Sequence, residues 1–521
     1  MGSGEACMEE VFWGIDVGTS GCKAVAVNGN GDVIAAGDER YDDSLVRTET
    51  GGYDQSAEVL LNACLNCLTN LARRIGDGRR VAAIGLTGQM HGLVALDKDL
   101  KPLRPVISCV DFRNARQNEE INGMFGGAEG LLPFTNNRML PSCTGGKILW
   151  MKQNEPELYR RIRVVVNPKD YIRTALCGVP ATDRSDASGF GLYDVRNHRW
   201  SGELIRRLGI DEGILPPVYA SGEAVGRLLP DVAQRLGISP GAVVVAGAGD
   251  AVMQTVGSGA VSRGTYCVIL GSGGLISASL SSCPRNEGAK LQLYCSALED
   301  RWVAYAGLMS VGTSVNWFRK RFYSGPDGEN AACGLERMEE EAAAVAPGAE
   351  GLLFFPALLG QRNPVEDPFA RGVVVGLAPH HARGHLYRAM LEGLAFGMRD
   401  VYGLLRGIAG PAEELRLSGG GAACGLWCQI FADVFQLPVR RVRNYAVCGA
   451  LGAAALALDA QAPGTTAEER FRRTAVDAEF LPDPGKREAY GALFEIYRKV
   501  YPAAAPLFAQ LRRYEETFEA K

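Results

Sequence analysis

The chain has 521 residues, 47% hydrophobic and 22% charged, an ordinary globular composition several times the size of a typical domain, so two or more domains are expected. A formal net charge of −4 without a basic stripe gives no electrostatic reason for nucleic acid or an anionic membrane as partner. No apolar run approaches the roughly 18 residues of a membrane span. The opening MGSGEACMEE has no leader pattern, and 14 scattered cysteines fit reduced thiols, so a cytoplasmic protein is expected.

In chain order, residues 11–15 read as a strand delivering Asp16. Gly18-Thr19-Ser20-Gly21 then turns the chain into a second strand over 22–27, and a further turn leads to a strand over 33–36. Apolar residues recur at helical spacing over 57–75. Cys64 and Cys67 fall inside that helix with no second pair nearby, so a metal or redox role is not expected for them. A strand over 81–86 is followed by Gln89-Met90-His91, placed to read a polar ligand, although a satisfied, half-buried histidine is the simpler account of His91 from these residues alone. The five histidines of the chain form no metal-ligand pattern. VISCVDFR, 106–113, reads as a strand finishing on Asp111 and Arg113. Residues 167–171 read as a loop entering a helix, 182–186 as a polar turn, and LGISPG, 236–241, as a domain boundary.

A short apolar run over 243–246 stops at Gly247-Ala248-Gly249 and places Asp250 at or just before a helix N-terminus, where the dipole favours a carboxylate. Residues 266–270 form a β-rich run broken by Gly271-Ser272-Gly273-Gly274, whose backbone N–H groups suit phosphate oxygens. An Asp cap followed by an ordinary hairpin is the competing account. The two strand, Gly/hydroxyl turn, strand units suggest a duplicated fold. Further on, 360–364 reads as a polar loop and 385–405 as an amphipathic helix. A strand over 415–417 ends in Gly419-Gly420-Gly421, bare backbone for a nucleotide, before a helix over 426–436. The small residues of 449–457 read as close helix packing, and 487–518 as a charged helix.

VFWGIDVGTSGCKAVAV, GLTGQMHGLVALD, NPKDYIRTALCGVPATDRSDASGFGLYD, VVAGAGD, ILGSGGLISAS and LSGGGAACGLWCQIFADVFQLPV together resemble the FGGY carbohydrate kinases, and GQMHG with DRSDASG looks most like the xylulokinase branch. The resemblance implies an α/β fold of two actin/hexokinase-like (ribonuclease H-like) domains with an inter-domain catalytic cleft. One domain, expected over 1–246, would carry the sugar site and the first phosphate turn, and the other, 247–521, the nucleotide. It implies a kinase using ATP and Mg²⁺ to phosphorylate a ketopentose, most simply D-xylulose. Asp16 would lie near the metal, Thr19 and Ser20 in the first phosphate turn, and Gly271, Ser272 and Gly273 in the second. Gly419, Gly420 and Gly421 would form the adenosine site. Asp250 would be the catalytic base beside the sugar, with Gln89, Met90, His91 and Asp111 also on the substrate.

The chain departs from that branch at Cys109-Val110-Asp111, where Trp-Asn-Asp is usual, at Ala251 in place of Asn, and at GSGG in place of GTSG. These departures leave open a sibling kinase for another sugar or polyol. An inert sugar or nucleotide sensor on the same fold has no need of a base at Asp250. The expected partners are small molecules, ATP and a sugar. Homodimer assembly is left open.

Overall fold

The computed structural model describes residues 9–41, 44–49, 51–76, 79–323, 331–461 and 465–518; the residues searched for a leader, 1–8, lie outside these. Where the sequence suggests one boundary at 246/247, the compact units are interleaved. The first gathers Met1–Val261, Ser279–Val303 and Val447–Arg473, and the second Ser262–Ala278, Ala304–Ala446 and Thr474–Lys521. Residues 236–241 begin at the last residue of the helix Pro230–Leu236, capped by Gly237 in the left-handed region, and lie inside the first unit. Among the described residues no helix is long and apolar enough to cross a membrane.

The first unit is built on a mixed sheet. Its order is Ala224–Arg227, Val243–Val245, Arg79–Gly88, Glu9–Val17, Gly21–Val27 and Val33–Arg40, with Ala248–Gly249 also pairing Arg79–Gly88. Glu9–Val17 runs antiparallel to Gly21–Val27 and parallel to Arg79–Gly88, as a central strand with both faces covered. On one face Trp13 and Ile15 join Leu60, Cys64, Cys67, Leu68 and Leu71 of the helix Ala57–Ile75, so the Cys64/Cys67 pair is core, and both thiols are free. On the other face lies the small-residue helix Cys448–Asp459. It approaches so closely that a Cβ on Gly14 would sit 1.8 Å from the Ala450 carbonyl oxygen, and one on Gly85 2.0 Å from that of Ala453. A second core in this unit gathers Leu93, Ile107, Ile148, Val165, Phe190 and Leu204.

The second unit repeats the theme. Its sheet passes through Trp302–Leu308, Gly274–Leu280, Thr265–Leu270, Glu414–Ser418, Val439–Val442 and Val476–Phe480. Thr265–Leu270 is antiparallel to its hairpin partner and parallel to Glu414–Ser418, as Glu9–Val17 is to its own neighbours. The helices Arg383–Ala409, Gly425–Phe435 and Arg487–Phe518 pack together in this unit.

Two elements differ from the sequence expectation. Residues 106–113 are strand only at Val106–Ile107, because a turn closes from the Asp111 N–H to the Ser108 carbonyl and the Asp111 carboxylate collects local donors. The polar stretch 182–186 is not a surface turn: Arg184–Gly189 is a helix whose residues 185–189 are buried, capped by Asp183 accepting from the N–H groups of Ser185 and Asp186.

Candidate active site

Asp16 ends its strand opposite Lys23 on one side and Thr87 on the other. It lies against the Cys448–Asp459 helix so tightly that a Cβ on Gly449 would be 2.7 Å from its Oδ2. Burial pushes the Asp16 carboxyl up to about 6, against the pull of Lys23. Asp250 opens the helix Asp250–Gly257, and its Oδ1 accepts from the Ala251 N–H at 2.8 Å. Burial, reinforced by the charge of Asp16, pushes its pKa up to about 7. Two half-buried carboxylates in one field, beside a buried Thr87 hydroxyl with no hydrogen-bond partner among the described residues, form an oxygen donor set that a hard divalent cation would relieve.

The segment leading to Asp250 is held by a buried ionic network. The Gly249 N–H donates to Ser185 Oγ at 2.9 Å, and the Ser185 hydroxyl donates to Asp183. Asp183 Oδ2 meets Lys169 Nζ at 2.7 Å; Lys169 also reaches Asp170 at 2.6 Å and Asp186 at 3.1 Å, and Arg173 pairs with Asp170 at 2.8 Å. All these side chains are fully buried. Lys169 and Arg173 both donate to the Ala246 carbonyl, at 3.2 and 2.7 Å, fixing the chain just ahead of Gly247. Burial pushes the Asp186 carboxyl well above the usual range, although Lys169 opposes it. Lys169 and Arg173 together offset the charge of the buried acids around them, which a buried ionic cluster requires. Asp170, Asp183 and Asp186 lie at metal-ligating spacing, but the Lys169 ammonium already fills the space among them.

The four expected sugar-side residues take different positions. Met90 is buried against Gly249, where a Cβ would fall 2.4 Å from its sulfur. Gln89 is buried and donates to Gln55 Oε1 at 3.0 Å, while Gln55 donates to the Thr19 carbonyl at 2.8 Å, so Gln89 braces the turn that carries Thr19 and Ser20. Thr19 is half-buried and Ser20 exposed in that turn. His91 is half-buried at φ 68°, its Nδ1 on the Gly189 carbonyl at 3.0 Å and its Nε2 3.4 Å from the Tyr294 hydroxyl. A carbonyl only accepts, so Nδ1 carries the proton in the neutral ring and Nε2 is left an acceptor. Lys147 donates to the His91 carbonyl at 2.8 Å and fixes the backbone. Asp111 is fully buried: it accepts from the Tyr53 and Arg113 N–H groups and is gripped by the Arg113 guanidinium at 2.7 to 2.9 Å. Both oxygens are engaged by protein donors, so Asp111 braces the Tyr53 and Arg113 segments, where the resemblance expects it at the sugar.

In the second unit, Gly271-Ser272-Gly273 connects the paired strands, and its carbonyls are held from behind. The Gly312 N–H donates to Gly271 at 2.8 Å, and the Val311 and Thr313 N–H groups donate to Ser272 at 2.9 and 3.1 Å. Gly419 sits at φ 84° with the Leu270 carbonyl 2.8 Å from where a Cβ would be, so only glycine fits comfortably. Gly420 faces open space, Gly421 abuts the Trp427 ring, and the nearby Ser418 hydroxyl is buried without a partner among the described residues.

Sequence reasoning did not pick out Lys169, Ser185, Tyr294, Gly312 or Gly449 as parts of these sites. Only the density of charge in DRSDAS, followed by apolar residues, hinted that 182–186 is interior.

The sequence models of the N- and C-terminal domains of the FGGY family of carbohydrate kinases match residues 11–257 and 266–460. The chain belongs to this family, and is an ATP-dependent sugar kinase. A protein named xylulose kinase from Bacillus subtilis (strain 168) is 32% identical over 507 residues, covering 96% of this chain and 99% of that one. A gluconokinase from the same strain is 29% identical over 456 residues, covering 87% of this chain and 88% of its own. The crystal structure of ligand-bound xylulose kinase from Lactobacillus acidophilus has the same fold, with a TM-score of 0.87, 24% identity, and coverage of 96% of this chain and 100% of that one.

Proposed function

We propose that this kinase transfers the γ-phosphate of ATP to a hydroxyl of a ketopentose, D-xylulose first among them. The observation that carries the substrate reading is the nearly full-length similarity to a protein named xylulose kinase, together with GQMHG and SDASG around His91 and Ser185. Asp250 takes the proton as the sugar oxygen bonds to the γ-phosphorus and the bridging oxygen leaves with ADP. Its raised pKa suits a base that works near neutrality. His91 Nε2 accepts from a sugar hydroxyl. The second unit holds the nucleotide, with 271–273 at the phosphates and 419–421 at the adenosine. Asp16, with Asp250 and Thr87 nearby, would hold Mg²⁺, which would neutralise charge on the phosphates.

A sibling substrate is the second reading. Cys109, whose thiol meets Gln89 Oε1 at 3.8 Å, and the 42% exposed Val110 stand where Trp-Asn is usual, and gluconokinase is also a relative. ADP release measured with D-xylulose, other ketoses, aldoses, polyols and gluconate decides between them. Under the first reading D-xylulose has the highest kcat/KM; a higher value for gluconate or a polyol overturns it.

A further inference from the structure

The second unit contains a cavity of about 600 Å³, within the usual size of small-ligand sites, that the kinase reaction does not use. Its apolar side is made by Phe355, Tyr497 and Tyr501. Its cationic side comes from Arg399 and Arg406 on the helix Arg383–Ala409. Among the described residues neither arginine has a carboxylate at ion-pair distance, although the charge of Glu495 acts on Arg399 against the effect of burial; Arg399 rests over the Phe494 ring at 4.3 Å. Arg498 and Asp400, also in the lining, pair with each other at 3.3 Å and cancel. Gln361 lines the cavity as well, is 8% exposed, and its Oε1 has no hydrogen-bond partner among the described residues. Two guanidinium groups, of which Arg399 is partly balanced by Glu495, aromatic walls and an orphaned acceptor define a ligand with an anionic group, a hydroxyl-bearing skeleton and a face to lay on a ring.

We propose that this cavity binds a small organic phosphate, with its phosphate oxygens on Arg399 and Arg406, its skeleton against Tyr497 and Tyr501, and a hydroxyl donating to Gln361. The site is coupled to the phosphate turn of the same unit. Leu308, Met309 and Ser310 form part of its wall, and the next residues, Val311 to Thr313, hold the Gly271 and Ser272 carbonyls. On the other side Met398, next to Arg399, packs where a Cβ on Gly274 would be 2.2 Å away. A ligand that fixes these walls therefore alters how the turn receives ATP.

The test is calorimetry on the full chain saturated with ADP and its sugar, so that the active site is filled, titrated with D-ribose 5-phosphate, AMP and inorganic phosphate. One additional site for an organic phosphate is expected, with inorganic phosphate at least tenfold weaker. Tighter binding of ribose 5-phosphate identifies sugar phosphates as the source, and tighter binding of AMP identifies nucleotides. The Arg399→Gln/Arg406→Gln double variant and, separately, Gln361→Glu should weaken binding at least tenfold while basal kcat and the KM for ATP stay within twofold. The preferred phosphate should also shift the wild-type KM for ATP at least twofold. Absence of an additional site, equal affinity for inorganic phosphate, or binding indifferent to these substitutions overturns the proposal, and binding without any change in ATP kinetics overturns the coupling. Basal activity of the same variants reports on the kinase reading independently.

Discussion

Ser185→Ala isolates how the fold aims Asp250, the proposed base. The Ser185 hydroxyl is the acceptor for the buried Gly249 N–H, one residue before Asp250. Asp183 keeps the Ser185 N–H at 2.8 Å, the Asp186 N–H at 3.2 Å and Lys169 after the change, so the ionic network survives and the loss falls on Gly249. A buried donor left unpaired costs about 1–3 kcal/mol, and the strand Ala248–Gly249 relieves that by moving, which displaces Asp250. A shift of about 1 Å at a reacting group lowers rate by up to about 10²-fold. The expected result is a kcat about 10- to 100-fold below wild type, with the KM for ATP within twofold, measured by coupled ADP release. Ser185→Thr, which retains the hydroxyl, should recover most of the rate. A Ser185→Ala kcat within threefold of wild type would refute this account, as would a loss that appears wholly as a lower melting temperature.

Asp250→Asn should lower kcat by about 10²–10⁴-fold, the range for a lost general base, with ATP affinity retained. Folding raises the Asp250 pKa, so the folded state binds its proton more tightly and the stability of the ligand-free chain falls as pH rises from about 4 to about 7. The same variant should therefore melt higher than wild type at pH 8; a lower melting temperature there would contradict the burial argument. For the wild type, free-enzyme kcat/KM should fall about tenfold per pH unit below pH 7, where Asp250 is protonated, and a flat profile from pH 5 to 7 would remove Asp250 as base. His91 sits at positive φ, so His91→Asn tests its ring with less backbone strain than alanine. It should reduce kcat/KM for the sugar by the equivalent of about 1–3 kcal/mol, and a loss seen instead in the KM for ATP would displace His91 from the sugar site. Gly449→Ala places a methyl 2.7 Å from Asp16 Oδ2 and should raise the Mg²⁺ concentration needed for half-maximal rate, unlike Gly403→Ala at an open position on another helix.

The sequence by itself determined the local elements, because their causes are local. Apolar spacing located the helix Ala57–Ile75, and β-rich runs ending in Asp16 and in Gly271-Ser272-Gly273 located the two hairpins that the sheets repeat. Asp250 was legible as a helix-opening acid for the same reason. The tertiary structure alone decided what each polar side chain is free to do. Asp111 and His91 look alike in the sequence as polar residues after strands, yet Arg113 and Tyr53 consume the Asp111 carboxylate, while Gly189 orients the His91 ring. Lys169 and Ser185 are far from Asp250 along the chain and reach its support only through folding. Membership of the compact units was equally hidden, since the helix Cys448–Asp459 joins the first unit by packing its small residues onto Gly14 and Gly85 across some 360 residues of chain or more, a contact that no local pattern encodes.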